Sequence, residues 1–252
     1  MKIIATIQRK GGNGKSTASL NLAAAFVSHG SRVLLVDTDD QKNTTSTIPT
    51  KRPITKTVES LLFEEETEIK DVAEPTLWDG IDLIAASSGL SSAVTNLDGH
   101  LKLRNKLQAV EYSGRYNVCI IDTSPSLNML TVNAMCASDG IFIPLTSNYF
   151  SLEGLAQTLE AYKKVKENLN KDLRLYGAAF VIHDGRSRLA CEVQDKVKEQ
   201  YPELLCETVI GRNIKIEEAQ VKHQSIFSYA PEDRGAFQYR ALAKELVIRM
   251  VT

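Results

Sequence analysis

The stretch from Lys2 to Gly30 constrains the fold more than any other. An apolar, β-branched run, Lys2–Gln8, leads directly into Arg9-Lys10-Gly11-Gly12-Asn13-Gly14-Lys15-Ser16-Thr17. Leu20, Ala23, Ala24 and Val27 then follow at helical spacing, and Gly30 closes the segment. Strand, glycine-rich loop and helix in this order make a phosphate-binding unit. Glycines let backbone N–H groups turn inward around phosphate oxygens with no Cβ in the way. The helix start adds its own N–H groups and its dipole. Gly14-Lys15-Ser16 fits the end of G-x-x-x-x-G-K-[ST], while Arg9 stands where the leading glycine usually lies. Lys15 is expected to reach the β- and γ-phosphates and the Ser16 hydroxyl to coordinate Mg²⁺. Gly11, Gly12, Asn13, Gly14 and Thr17 complete the expected cradle for a nucleoside triphosphate.

The rest of the chain extends the same architecture. Strands are expected at Arg32–Asp37, Ile81–Ala85, Asn117–Asp122, Gly140–Leu145, Tyr176–Ile182 and Glu207–Ile210. Helices are expected at Lys15–Ser28, Leu152–Asn168, Ser187–Gln200 and Gly235–Met250, and Gln41–Thr57 reads as a long loop. The alternation implies one α/β domain over residues 1–252, a mostly parallel twisted sheet flanked by helices. With 43% hydrophobic residues in 252, the chain builds a sizeable core. Lys and Arg number 30 against 31 Asp and Glu, which excludes a generally basic protein but not a local basic face. The four cysteines are scattered, so they suggest a reduced, cytoplasmic protein and no metal cluster. Cys119 and Cys136 sit in apolar runs and read as core. His29, His100, His183 and His223 lack metal spacing and read as surface or capping residues. The acidic stretch Glu64–Glu74 before Trp78 reads as a solvated helix face and loop. No basic-then-apolar leader and no run of about 20 apolar residues is seen.

Acidic residues fall at strand ends behind the phosphate loop. Asp37 ends the second strand and Asp39 follows in Asp37-Thr38-Asp39-Asp40-Gln41, while Asp122 ends another in Asp122-Thr123-Ser124-Pro125-Ser126. Carboxyl ends of parallel strands face the ligand crevice of open α/β folds. An aspartate there is where a P-loop NTPase holds Mg²⁺.

Lys10 makes the loop more specific, because K-G-G-x-G-K-[ST]-T resembles the deviant Walker A motif of the ParA/MinD family of ATPases. The resemblance runs nearly the whole chain, on its ParA (Soj-like) branch. It is carried by Asp37–Gln41, by Asp122–Ser126, by Ile143–Leu145 with Tyr149–Leu155, by Asp184–Arg188, by Gly211–Ala219 and by Arg234–Leu242. It implies that Lys10 and Lys15 act on ATP, Lys10 across a dimer interface, and that Asp39 polarises the attacking water. It also implies that Ser16, Asp37 and Asp122 serve Mg²⁺, and that Gly211, Arg212 and Asn213 lie near the adenine. Asp40 and Ser124 replace prolines of the family pattern.

The same resemblance implies a switch. Two copies close as a homodimer around ATP, bind double-stranded DNA without reading its sequence, and are released when an adaptor stimulates hydrolysis. The adaptor is a ParB-like or other protein with a basic N-terminal segment. Arg186 and Lys215 fall on family positions linked to DNA, with Arg188, Lys196, Lys222 and Lys244 as further candidates. The cargo is expected to be a plasmid, a chromosome or a protein assembly such as a carboxysome or chemoreceptor array, positioned over the nucleoid. A MinD-like membrane-cycling ATPase is the main alternative. It needs a basic amphipathic C-terminal helix, whereas Lys244–Thr252 is expected to continue the last core helix, with no membrane as partner. An iron–sulfur scaffold and an amidoligase-type synthetase are the remaining alternatives.

Overall fold

The computed structural model describes residues 1–111 and 114–251. Seven strands form one sheet among them: β1 Lys2–Thr6, β2 Val33–Thr38, β3 Ala73–Pro75, β4 Ile81–Ile84, β5 Val118–Thr123, β6 Gly140–Leu145 and β7 Arg174–Phe180. Their order is β3-β4-β2-β5-β1-β6-β7, parallel throughout except for the pairing of β3 with β4. The helices are α1 Lys15–Ser28, α2 Asn43–Thr47, α3 Val58–Phe63, α4 Ile69–Val72, α5 Leu90–Val94 and α6 Lys102–Glu111. They continue with α7 Met129–Ala137, α8 Tyr149–Asn168, α9 Arg188–Gln200, α10 Ile214–Val221, α11 Ile226–Tyr229 and α12 Arg234–Val251.

The strands read as unbroken apolar runs because both faces of the sheet are covered. On one face Ile3, Ala5, Leu34, Val36, Cys119, Ile121, Ile141 and Ile143 pack with Leu103, Leu107, Leu130, Leu155 and Val193 of α6 to α9. On the other, Ile4, Val33, Leu35, Val118, Ile120 and Phe142 meet Leu20 and Phe26 of α1 and Tyr239, Leu242 and Leu246 of α12. Each large side chain buried this way contributes about 1.5–3 kcal/mol. No helix among the described residues is long and apolar enough to cross a membrane.

Most expected elements stand within two residues of their predicted ends. α12 continues through Lys244 to Val251 as the last core helix, and Thr252 lies outside the described residues. Three expectations are corrected. Glu207–Ile210 is not a strand. The segment runs beside β7, bonding through Leu204, Cys206 and Ile210, but the N–H groups of Glu207 and Thr208 donate to the Glu245 carboxylate, at 2.9 and 3.1 Å. That side chain takes the backbone donors a ladder needs. The loop Gln41–Thr57 contains α2, whose threonines reach the carboxylates described below. The acidic stretch Glu64–Glu74 is more than a solvated face. It holds α4, capped by Glu68 and Asp71, buries Ile69 and Val72, and enters edge strand β3. β7 stops at Phe180, short of the expected Ile182, because Ile182 turns into the left-handed region at φ 60°.

Tyr176 sits in a bulge of β7, between residues paired to Ile141 and Phe142. Its ring covers Gly140, where a Cβ would lie 2.7 Å from the ring. Tyr176 is fully buried and cannot yield. Gly140→Ala is therefore expected to lose about 1–3 kcal/mol in urea unfolding. Tyr176→Phe should unfold no more easily than the parent, since the buried hydroxyl has no hydrogen-bond partner.

Burial pushes the Cys119, Cys136 and Cys206 thiols up, Cys206 to about 12. Cys191, half-buried at the start of α9, should be the one thiol that a maleimide labels in the native protein, the rest following only on unfolding. Mass spectrometry of labelled peptides reads this directly.

Candidate nucleotide site

The phosphate loop leaves β1 beyond Gln8 and turns back through Gly12 and Gly14, at φ 74° and 71°. Only glycine takes these angles without strain. At Gly14 a Cβ would also lie 3.0 Å from Val181. α1 begins at Lys15 with no side chain capping its first turn, so its N–H groups face the space inside the loop. Asn13 is buried, held through Oδ1 by the Thr146 hydroxyl at 3.0 Å, while its Nδ2 has no partner in the structure. A buried donor without an acceptor, beside a ring of backbone N–H groups, suits a phosphate oxygen.

Lys15 is 6% exposed, and its Nζ lies 3.4 Å from the Lys10 carbonyl. Burial draws its pKa down, and Asp122 and Asp39 draw it back up. The parallel register of β2 with β5 sets Asp37 directly beside Asp122. Asp122 accepts from Thr44 Oγ1 at 2.7 Å and Ser19 Oγ at 3.1 Å. Asp37 accepts from the Asp39 N–H at 3.0 Å and from Thr45 through its N–H (2.8 Å) and Oγ1 (2.7 Å). Burial, with mutual repulsion at Asp37, holds both carboxyls above the usual range. Asp39 is raised to about 6, mainly by burial. Of the three, Asp39 lines the cleft, and Asp37 lies behind it as the anchor of the turn.

This cleft has a volume of about 440 Å³ and runs from Gly11–Thr17 to Gln41, Asn43, Thr47, Pro125, Ile182 and Gln220. Gln220 of α10 donates to Thr17 Oγ1 at 3.1 Å. Among the described residues no three His, Cys, Asp or Glu side chains form a metal cage. The carboxylates nonetheless outnumber the one buried lysine, and a hydroxyl-bearing loop faces them. This donor set fits a divalent cation shared with phosphates, which Ser16 and Asp122 would hold. Bound there, the cation would offset negative charge on the triphosphate.

The remaining expected residues lie elsewhere. Gly211 and Arg212 line a neighbouring cavity of about 500 Å³ with His183, Asp184, Arg186 and Arg234. Asn213 caps α10 and bonds Asp233. Arg186 pairs with Asp184, Arg188 with Glu192 and Lys215 with Glu218. Lys196 and Lys244 are exposed on α9 and α12, and Lys222 borders a separate cavity of about 630 Å³ beside Trp78. His29 and His223 bond the backbone carbonyls of Arg240 and Thr47. Asp40, where the family has proline, accepts from Ser91 and ties the turn to α5, and Ser124 bonds Ser126. Sequence reasoning missed Thr44, Thr45 and Gln220. The run of hydroxyls at Thr44–Thr47, just after Asp37 and Asp39, was the available signal.

A strand, a glycine loop, an uncapped helix and paired carboxylates on a parallel sheet define a P-loop ATPase. The AAA domain family matches residues 1–175. The chain is 36% identical to the sporulation initiation inhibitor protein Soj of Bacillus subtilis over 97% of its length and 98% of Soj. It is 33% identical to the chromosome partitioning protein ParA of Caulobacter vibrioides, over 99% and 95% of the two chains. Among solved structures, cobyrinic acid a,c-diamide synthase from Mycobacterium smegmatis with bound ADP and magnesium superposes with a TM-score of 0.83. That match has 26% identity and covers 100% of this chain and 96% of the synthase. The chain belongs to the ParA/MinD family, close to Soj and ParA, and is an ATPase that uses ATP and Mg²⁺.

Lys15→Ala is expected to weaken ATP binding about a hundredfold or more, as read by titration calorimetry. In the nucleotide-free protein Asp39 keeps its proton to a higher pH folded than unfolded. Stability should therefore fall as pH rises from its ordinary 3.8 to about 6. Asp37 and Asp122, raised likewise, add to the fall, so Asp39→Asn should lessen that slope without abolishing it in thermal unfolding measured across the window.

Proposed function

We propose that this chain is a ParA-type partition ATPase whose ATP-bound homodimer holds double-stranded DNA without regard to sequence. The observation that carries this reading is the arginine-lined cavity beside the nucleotide cleft. Ile182 lines the cleft, and His183, the next residue, lines the cavity bounded by Arg186, Arg212 and Arg234. The ion pairs of Arg186 and Lys215 are solvent-exposed and contribute only about 0–1 kcal/mol, so DNA phosphates displace them readily. Arg188 and Lys196 extend the basic surface along α9, with Lys222 beyond α10.

With a net charge of −1 one copy holds DNA weakly. Lys10, in the phosphate loop, reaches the partner copy's nucleotide, and the closed pair brings two basic patches to one duplex. Asp39, facing the cleft and fixed by Asp37, orients the attacking water. A ParB-like or other adaptor with a basic N-terminal segment stimulates hydrolysis and releases the pair. The cycle places the protein in the cytoplasm and on the nucleoid, moving a plasmid, a chromosome or a protein assembly. The likeness to cobyrinic acid a,c-diamide synthase favours a second reading, an ATP-dependent synthetase.

Random-sequence duplex with ATP and Mg²⁺, with ADP and Mg²⁺, or with no nucleotide separates the two in a binding assay. Binding confined to ATP, falling as salt rises, is the expected result. Lys215→Glu should remove most of it, while Asp39→Ala should leave ATP-bound protein on DNA without turnover. No DNA binding by ATP-loaded protein overturns the reading in favour of a synthetase.

A further inference from the structure

Asp39 is carried by a four-residue turn. The Lys42 N–H donates to the Asp39 carbonyl at 2.9 Å, and the Gln41 N–H to Asp39 Oδ1 at 3.1 Å. Asp40 is the second residue of that turn. Proline is favoured at this position because its ring fixes φ. Among the described residues nothing accepts the Asp40 N–H, so a proline there would lose no bond. An aspartate leaves φ free. Lys42, where the turn ends, stands in the left-handed region at φ 54°, which a residue with a Cβ takes only when its surroundings hold it there.

What holds this turn lies just after β4. The Ser91 hydroxyl donates to the Asp40 carboxylate, Lys42 Nζ donates to Ser88 Oγ at 2.7 Å, and the Ala86 N–H donates to Thr45 Oγ1 at 3.0 Å. Gln41 Nε2 adds a bond to the other Asp40 oxygen at 3.3 Å. The segment 86–91 is itself fixed. Leu90 and Val94 of α5 belong to the same buried core as Leu61 and Leu62 of α3, and the Ser87 hydroxyl donates to Glu59 of α3. A fixed segment thus grips a turn that its own backbone leaves free. Of the contacts in this grip, the one from Ser91 is made to a charged acceptor, the stronger kind of hydrogen bond. The other side of the turn faces the nucleotide, since Asp39 and Gln41 both line the cleft.

We propose that Ser91, acting through Asp40, is a positioning residue for ATP hydrolysis: it holds the turn that presents Asp39 to the cleft. This rests on the reading above that Asp39 orients the attacking water. Ser91 lines no part of the cleft. Its loss therefore leaves the contacts to ATP in place and lowers the fraction of molecules in which Asp39 stands ready. Ser91 is exposed on α5, and alanine suits a helix, so the variant that removes the hydroxyl keeps the fold.

The test is steady-state ATP hydrolysis by the full chain. Ser91→Ala should lower kcat about fivefold while KM for ATP stays within roughly twofold of the parent. Ser91→Thr, which keeps the hydroxyl, should restore kcat. In an Asp40→Pro background Ser91→Ala should change nothing further, because the ring then does what the hydroxyl did. A kcat untouched by Ser91→Ala overturns the proposal. A loss that appears equally in KM, or that persists in the proline background, leaves Ser91 a structural role only and also overturns it. Asp39→Ala keeps the two readings apart. Hydrolysis at the parent rate in that variant removes Asp39 from the reaction and takes the proposal with it. A silent Asp39→Ala beside a fully active Ser91→Ala overturns the role of Ser91 alone.

Discussion

Two carboxylates held side by side in the dry interior organise this molecule. Asp37 and Asp122 face each other because β2 and β5 are parallel neighbours in register. Neither is exposed, and their own charges oppose the arrangement. The structure gathers compensating groups around them: Lys15 from the phosphate loop, Ser19 from α1, and Thr44 and Thr45 from α2. Buried charge without full compensation favours whatever brings positive charge to it. A nucleotide's cation would be such a visitor, and the loop, α1 and α2 all border these carboxylates. The cleft is also joined by hydrogen bonds to the far end of the chain: His223, just past α10, contacts the Thr47 carbonyl of α2, and Gln220 of α10 contacts Thr17.

The regular parts of this arrangement were legible in the sequence. Lys15–Ser28 forms its helix and Gly140–Leu145 its strand at the expected ends, because apolar spacing and flanking glycines act locally. The positions of Lys15, Ser16 and Asp39 on the cleft follow from local sequence too, since each sits in a short segment just beyond the end of a strand. What stayed hidden was decided by distant partners. Glu207–Ile210 has the composition of a strand, yet Glu245, far along the chain, removes its donors. α2 is short and threonine-rich, with no periodic signal, and stands because two buried carboxylates need hydroxyls. β3 is three residues long and ends in proline, too little pattern to recognise without β4 beside it.

The basic residues show the same division. Their identity was plain, but the surface they share was not. Arg186, Arg212 and Arg234 come from three separate segments and meet at one cavity only because the run after α9 lies along β7 and delivers Gly211 beside His183. Lys244, equally basic in sequence, is exposed farther along α12 and does not line that cavity.

The irregular run beside β7 has one more consequence. β7 is the last strand of the sheet, and a straight, unpaired last strand is a template on which another chain can form further strand. Here the Ala178 N–H and carbonyl are already bonded to Leu204 and Cys206, and Ile210 donates to Phe180. The covering segment in turn has its next two N–H groups taken up by Glu245. The sheet therefore ends in side-chain oxygen rather than open backbone, so even a crowded population of these molecules finds no ladder there to continue.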